Sequence, residues 1–269
     1  LKDIFKPEYA HAQLDTTSSL TYYTIANDHF HKGEFEQAIA NYKLAIELNP
    51  KFTIAYYEIG LTYRTIGADE IAKEYFNKAI NIDPSLTKAY YELGCVFNRQ
   101  GELSQAITNF NKTIELDMEF FPAYLALGKA YEHSDEWNQA INVYHRSLKL
   151  KTDVWEVYFG LGNSYREIDN HNQAIFNFSQ VIRLDPNNAR AYFELGDVYR
   201  EDGNYNQAII NFTQSIKIDP NYPGGYLRLG NAYHKIKNYN QAIFYLNQFI
   251  KLSPNEPEGY FEISLAYRK

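Results

Sequence analysis

The sequence predicts an all-α fold, a solenoid built from antiparallel helix pairs. Three observations lead to this prediction: a period of 34 residues, two apolar stripes with helical spacing in each period, and a turn-forming residue between the stripes. The chain has 269 residues, more than an ordinary single domain. Because a repeat array buries its core between neighbouring units, this length reflects the number of repeats, and one continuous solenoid is expected.

The period is clearest in a leucine or isoleucine followed by a small residue. The pair recurs 34 residues apart at Ile25-Ala26, Ile59-Gly60, Leu93-Gly94, Leu127-Gly128, Leu161-Gly162, Leu195-Gly196, Leu229-Gly230 and Ile263-Ser264. In the same frame alanine recurs at Ala38, Ala72, Ala106, Ala140, Ala174, Ala208 and Ala242, and proline ends most repeats at Pro50, Pro84, Pro186, Pro220 and Pro254. Agreement at three separate positions indicates a true repeat.

Each repeat contains two apolar stripes. When a repeat is numbered from 1 to 34, starting at Ser19 for the first, positions 4, 7, 8 and 11 form one stripe, as in Tyr192, Leu195, Gly196 and Tyr199. Positions 20, 21, 24, 27 and 28 form the other, as in Ala208, Ile209, Phe212, Ser215 and Ile216. Each spacing is one face of a helix. Small residues at positions 8 and 20 let the two helices approach, and the large residue at 24 fills the space beside them.

A turn separates the two helices. Glycine, which adopts a left-handed backbone easily, lies there at Gly33, Gly67, Gly101 and Gly203. Asp135 and Asp169 tolerate that conformation, whereas Lys237 fits it less well, so we expect a different turn in its repeat. Pairs such as Asp185-Pro186 disfavour helix before the proline and end the second helix.

This pattern resembles the tetratricopeptide repeat over residues 19–269. The resemblance implies a right-handed superhelix and divides the chain into three parts: a lead-in segment or degenerate repeat at 1–18, seven 34-residue repeats across 19–256, and the first helix of an eighth, incomplete repeat at 257–269. Met118 and Thr152 replace the closing proline, so we expect altered spacing after the third and fourth repeats.

Composition argues against several functions. A net charge of -7 repels a phosphate backbone, so no nucleic-acid partner is expected, and no apolar run approaches the length needed for membrane insertion. The seven histidines lack the spacing of a helical zinc site, and no glycine-rich phosphate loop occurs, so no metal or cofactor is expected. Cys95 has no histidine placed to activate it. We therefore predict a protein that is not an enzyme, while its compartment stays open.

The resemblance also implies that the first helices line a concave groove. Position 5 carries an apolar ladder, Tyr23, Tyr57, Tyr91, Leu125, Phe159, Phe193, Leu227 and Phe261, and position 12 is often arginine. We predict that the groove binds a peptide or protein segment, because aromatic rings beside guanidiniums suit such partners. The predicted contact residues are Tyr57, Arg64, Tyr91, Arg99, Phe159, Arg166, Arg190, Phe193 and Arg200. Two alternatives stay open: the rings pack between helices, or the arginines pair with nearby carboxylates.

Two specialised versions of the family differ from this sequence. The chaperone-binding clamp needs lysine at position 5, which never occurs here, and the asparagine ladder at position 6 of O-linked N-acetylglucosamine transferases is also missing. A non-catalytic interaction scaffold is therefore the predicted function. The competing function is a substrate-recruiting arm of a larger enzyme whose catalytic domain lies outside this chain.

Two further surfaces are candidates for contact. On the second helices, position 22 holds Phe176, Ile210 and Phe244 in successive repeats, which predicts an apolar patch on the convex side unless these side chains are buried against the adjacent second helix. At 257–269 the stripe of Tyr260, Ile263, Ser264 and Tyr267 lacks a second helix. We expect either that the natural protein continues past Lys269 or that this end associates with another copy.

Overall fold

The structure is a computed structural model that describes the backbone of residues 7–268 and the side chains of residues 18–268. Residues 1–6 of the predicted lead-in segment, and Lys269, lie outside the described residues. The remainder of the lead-in segment, residues 7–18, is helical and continues without interruption into the first repeat.

Every regular element in this described range is an α-helix. The helices are α1 (Pro7–His31), α2 (Phe35–Leu48), α3 (Thr53–Thr65), α4 (Asp69–Ile82), α5 (Thr87–Arg99), α6 (Leu103–Leu116), α7 (Phe121–His133), α8 (Trp137–Ser147), α9 (Trp155–Glu167), α10 (His171–Leu184), α11 (Ala189–Glu201), α12 (Tyr205–Ile218), α13 (Pro223–Lys235), α14 (Tyr239–Leu252) and α15 (Pro257–Tyr267). The odd-numbered helices are the first helices of the repeats and the even-numbered ones are the second.

The chain divides into two compact bodies with the boundary between Ala130 and Tyr131. The N-terminal body holds α1 to α6 and most of α7, and the C-terminal body holds the end of α7 and α8 to α15. In each body a first helix packs on its own second helix, as α3 does on α4 and α11 on α12, and neighbouring pairs pack on each other, as α4 does on α5 and α12 on α13. The predicted all-α arrangement of stacked helix pairs is therefore confirmed within each body.

The turn inside each helix pair has a left-handed residue. Gly67 and Gly203 have φ of 81° and 74°, and Asp169 has φ of 57°. The expectation of a different turn at Lys237 is wrong, because Lys237 adopts φ of 63° and the N–H of Asn238 donates to the carbonyl oxygen of Tyr233 at 2.9 Å. The packed helices impose the turn and override the preference of the lysine backbone.

Close approach of the paired helices depends on a glycine at position 8 and a large ring at position 24. A Cβ added to Gly196 would lie 2.7 Å from Cδ1 of Phe212, and one added to Gly60 would lie equally close to Phe76. The rings therefore occupy the space that the missing side chains leave, as the sequence predicts. In the seventh repeat Leu246 packs in the same way against Gly230.

The junctions without proline keep their spacing, contrary to expectation. Helices α5, α7, α9 and α11 each begin 34 residues after the preceding first helix. The difference appears instead in α8, which ends at Ser147 after 11 residues, whereas α10 has 14. The N–H groups of Leu150 and Lys151 both donate to the carbonyl oxygen of Ser147 and close this helix end without a proline.

Candidate binding site on the first helices

The predicted aromatic ladder at position 5 belongs largely to the core. Phe159 is 9% exposed and Tyr57 7% exposed, while Tyr91 and Phe193 are half-buried. Each ring packs against the position 24 ring of its own repeat, with centroid separations of 5.6 Å for Phe159 and Phe178 and 5.9 Å for Tyr57 and Phe76. Much of each ring is therefore already buried before any partner binds.

A second set of aromatic residues, which sequence reasoning missed, lies at position 34. The ring centroid of Tyr222 is 5.0 Å from that of Phe193, and Phe120 is 5.1 Å from Tyr91. Burial and the charges of Glu194 and Asp197 raise the pKa of Tyr222, while Arg190 and Arg228 lower it, so its side chain lies among those of the first helices. The sequence feature that could have identified these rings is the recurrence of an aromatic residue at the last position of a repeat.

Arg190 and Trp155 cover the ring of Phe159 in the C-terminal body. The guanidinium carbon of Arg190 lies 4.9 Å from the ring centroid, within the range of a cation–π contact, and the Arg190 side chain is 71% exposed. Trp155 meets the same ring edge-on at 6.3 Å and is exposed. The accessible groups here are thus a guanidinium and an indole.

Arginines at position 12 pair with glutamates at position 6 of the next repeat. Nη1 of Arg64 lies 2.7 Å from Oε2 of Glu92, and Arg166 donates in the same way to Glu194. Arg99, at position 13, instead donates to Asp69 of α4 at 2.6 Å. These three predicted contact residues therefore have carboxylate partners within the chain.

Arg200 departs from this pattern because the corresponding residue in the next repeat is Arg228. Nε of Arg200 donates to Oδ1 of Asp197 at 2.7 Å, and Nε of Arg228 lies 3.2 Å from the same oxygen. Arg200 also pairs with Glu201 at 3.0 Å. Asp197 is only 6% exposed, so one buried carboxylate serves two guanidiniums.

The first helices of the N-terminal body carry acidic groups with perturbed protonation. Burial raises the pKa of Glu58, more than the nearby charge of Lys88 compensates, and burial likewise raises the pKa of Glu92 despite its pairing with Arg64. The first helices of this body thus hold two partly desolvated carboxyl groups.

Two asparagines on the first helices have a buried oxygen without a partner. Oδ1 of Asn98, at position 12, and Oδ1 of Asn231, at position 9, are inaccessible to solvent and accept no hydrogen bond within the structure. Such atoms are uncommon in folded proteins, because an unmet buried acceptor costs about 1–3 kcal/mol. Each of these two oxygens therefore carries an energetic cost within the fold.

The other two predicted surfaces are exposed. Phe176, Ile210 and Phe244 are 54%, 60% and 54% exposed, so their burial against neighbouring second helices does not occur. On α15, Tyr260 and Tyr267 are exposed, whereas Ile263 packs beside Leu246 and Phe249.

Cys95 and the metal-binding residue types can be assessed within the described residues. Burial raises the pKa of the Cys95 thiol to about 11, so it stays protonated near neutral pH and is a poor nucleophile. No three His, Cys, Asp or Glu side chains in residues 18–268 come together as a metal site would require. Among the described helices, none combines the length and apolarity needed to cross a membrane.

Family models for the tetratricopeptide repeat match most of the chain. One, described as TPR repeat, matches residues 26–67, 162–203 and 196–237. A second, described as tetratricopeptide repeat, matches residues 54–86, 87–118 and 223–256, and a third with the same description matches residues 123–154. The chain therefore belongs to the tetratricopeptide repeat family. No curated protein matches the sequence.

Several solved structures are similar to this one. The C-terminal part of a TPR repeat-containing protein from Cytophaga hutchinsonii has a TM-score of 0.77 and 14% identity, covering 90% of this chain and 99% of that chain. MamA has a TM-score of 0.59 and 26% identity, covering 64% of this chain and 94% of its own. YrrB, described as a TPR protein with an unusual peptide-binding site, has a TM-score of 0.60 and 20% identity, covering 69% and 96%.

Proposed function

We propose that this chain is a non-catalytic scaffold that binds an extended peptide or protein segment along its first helices. The observation that carries the proposal is the exposed guanidinium of Arg190 and the exposed indole of Trp155, which both contact the ring of Phe159 on these helices. A peptide supplies carbonyl and carboxylate oxygens for the guanidinium and apolar side chains for the indole.

Side chains on or beside the first helices of the C-terminal body support the same function. Trp155, Arg190 and Tyr222 offer an exposed indole, an exposed guanidinium and a half-buried phenol, the residue types that most often anchor protein interfaces. The position 5 rings contribute mainly by holding these groups in place, because they are buried against position 24. YrrB provides a precedent for peptide binding by this fold.

A peptide selection tests the proposal. Random peptides displayed on phage are selected on the whole chain, and the affinity of each selected peptide is measured by fluorescence polarisation for the wild type and for variants. Arg190→Ala and Asn98→Ala change the first helices, and Lys217→Ala is the control on a second helix. All three alter accessible or half-buried side chains, which keeps the core intact.

We expect each first-helix variant to weaken the binding of peptides that contact its body by about tenfold, as for interface anchors. The control should leave the affinity unchanged. Peptides that are insensitive to both first-helix variants but lost when Phe176 or Phe244 is replaced by alanine would contradict the proposal and favour the apolar patch on the second helices.

A further inference from the structure

A small cavity lies between three first helices of the C-terminal body. It has a volume of about 230 Å³ and is lined by residues of α11, α13 and α15, together with Tyr205 of α12. Helix α13 contacts both α11 and α15, so the helices that form the cavity are packed against one another. The volume is below that of typical pockets for drug-sized ligands and suits one side chain with its peptide group.

Positive charge predominates among the residues that line this cavity. Arg200, Arg228 and Lys235 line it, and Glu262 is the one carboxylate among its lining residues. Elsewhere on the first helices an arginine at position 12 meets a glutamate, as Arg64 meets Glu92, but here Arg228 replaces that glutamate.

The cations of the cavity are incompletely neutralised. Arg200 and Arg228 share one oxygen of Asp197, and among the described residues Asp197 is the only carboxylate paired with Arg228. Lys235 likewise has no carboxylate within ion-pair distance in the described part of the chain. A guanidinium that shares its one carboxylate with a second cation is well suited to bind an anion.

Acceptors lie beside these donors. Asn231 lines the same cavity, and its Oδ1 is buried without a partner. Glu262 adds a second acceptor from α15. A ligand that contacts both the cations and the acceptors of the cavity carries an anion and, close to it, an N–H donor. An acidic side chain attached to a peptide backbone has this combination.

We propose that the cavity binds an anionic side chain of the partner peptide, with the anion between Arg228 and Lys235 and a backbone N–H donating to the carboxylate of Glu262. This inference deepens the proposed function and rests on it. The anion is a carboxylate or a phosphate group, which guanidinium and ammonium groups both bind.

The test uses three blocked pentapeptides, Gly-Ala-Xaa-Ala-Gly, in which Xaa is glutamate, phosphoserine or glutamine. Each is titrated into the whole chain while the arginine side-chain N–H resonances are followed by NMR. We expect the glutamate or the phosphoserine peptide to shift the Nε–H resonance of Arg228, and the glutamine peptide to bind about tenfold more weakly or not at all. Whichever anionic peptide binds more tightly identifies the anion.

Arg228→Glu is the decisive variant. It restores the residue type found at Glu58, Glu92, Glu194 and Glu262, so it is compatible with the fold and is expected to pair with Arg200. Lys217→Glu makes the same change of charge on the outer part of α12 and serves as the control. We expect Arg228→Glu to abolish binding of the anionic peptide, and Lys217→Glu to leave it within about twofold, as for a screened distant charge.

Three results would overturn the inference: equal binding of the glutamine peptide, no shift of Arg228 with either anionic peptide, or unchanged binding by a folded Arg228→Glu variant. None of these would affect selected peptides that depend on Arg190 or Asn98, so the proposed function is judged separately.

Discussion

At the scale of single residues, the effect of an arginine at position 12 depends on the residue found at position 6 of the next repeat. Where that residue is glutamate, as for Arg64, the arginine forms an ion pair between repeats. Because Arg64 is partly exposed and desolvation of the buried Glu92 carboxylate offsets part of the attraction, such a pair stabilises by about 1 kcal/mol or less. Where it is Arg228, no ion pair forms between positions 12 and 6, and Arg200 and Arg228 both pair with Asp197 instead.

Replacing Lys237 by glycine is expected to stabilise the chain. Lys237 is held at φ of 63°, where a side chain is unfavourable, and glycines such as Gly67 and Gly203, with φ of 81° and 74°, take its place in this turn of other repeats. Lys237→Gly should raise the free energy of unfolding by about 1 kcal/mol, which a urea or thermal denaturation series can measure.

Gly203→Lys is the matched control for this prediction. A Cβ at Gly203 meets nothing within 4 Å, so the substitution changes the backbone preference without a steric clash. We expect it to destabilise by about the amount that Lys237→Gly gains. A stabilising effect of Gly203→Lys, or none for either variant, would show that the turn conformation contributes no strain.

Glu58 is expected to make stability depend on pH. Its pKa is raised in the folded chain, so the folded state holds a proton that the unfolded state has already released. Stability from this group is therefore greatest below the ordinary value of 4.5 and decreases as the pH rises through the raised pKa.

Glu58→Gln removes this dependence. The urea midpoint of the variant relative to that of the wild type should increase as the pH rises above 4.5, and then level off. Glu70, whose hydrogen bond with Lys73 lowers its pKa, is the control, since Glu70→Gln should not show this trend. A difference for Glu58→Gln that is constant with pH would contradict the effect of burial.

At the scale of helices, three second helices of the C-terminal body start with a side-chain cap, whereas α8 of that body and the second helices of the N-terminal body have none. Helices α10, α12 and α14 follow Asn170, Asn204 and Asn238, whose side chains accept the N–H of the third helical residue. Helix α4 follows Ala68, which has no side-chain acceptor. The backbones are nearly identical, with φ and ψ of -86° and 65° at Ala68 and -84° and 68° at Asn204.

Ala68→Asn should therefore stabilise α4 by about 1 kcal/mol, the usual value of an N-cap. Asn204→Ala should cost a similar amount in α12. Thermal denaturation of the two single variants measures both effects, and a destabilising Ala68→Asn would mean that the introduced amide cannot take the geometry seen at Asn204.

Most of the helical framework could be predicted from the sequence, because the 34-residue period fixes which residues share a core. The role of position 5 could not, since whether Phe159 lies in the groove or in the core depends on how its ring packs on Phe178. Tyr222 and Arg228 were recognisable as departures from the repeat pattern, but only the structure places them near Asp197 and Arg190.

At the scale of the whole chain, the two bodies present different charged groups on their first helices. The N-terminal body offers Glu58 and Glu92, carboxyls with raised pKa, whereas the C-terminal body offers Arg190, Arg228 and Lys235. We therefore expect selected peptides that depend on Arg190 or Arg228 to be acidic, because opposite charges favour association.

Hydroxyl-radical footprinting of the chain with a selected peptide tests the central claim most directly, because it reports which side chains a partner covers. The account predicts that Trp155 and Tyr222 on or beside the first helices become protected, while Phe176 and Phe244 on the second helices react as in the free chain. Protection of Phe176 and Phe244 with unchanged reactivity of Trp155 and Tyr222 would contradict it.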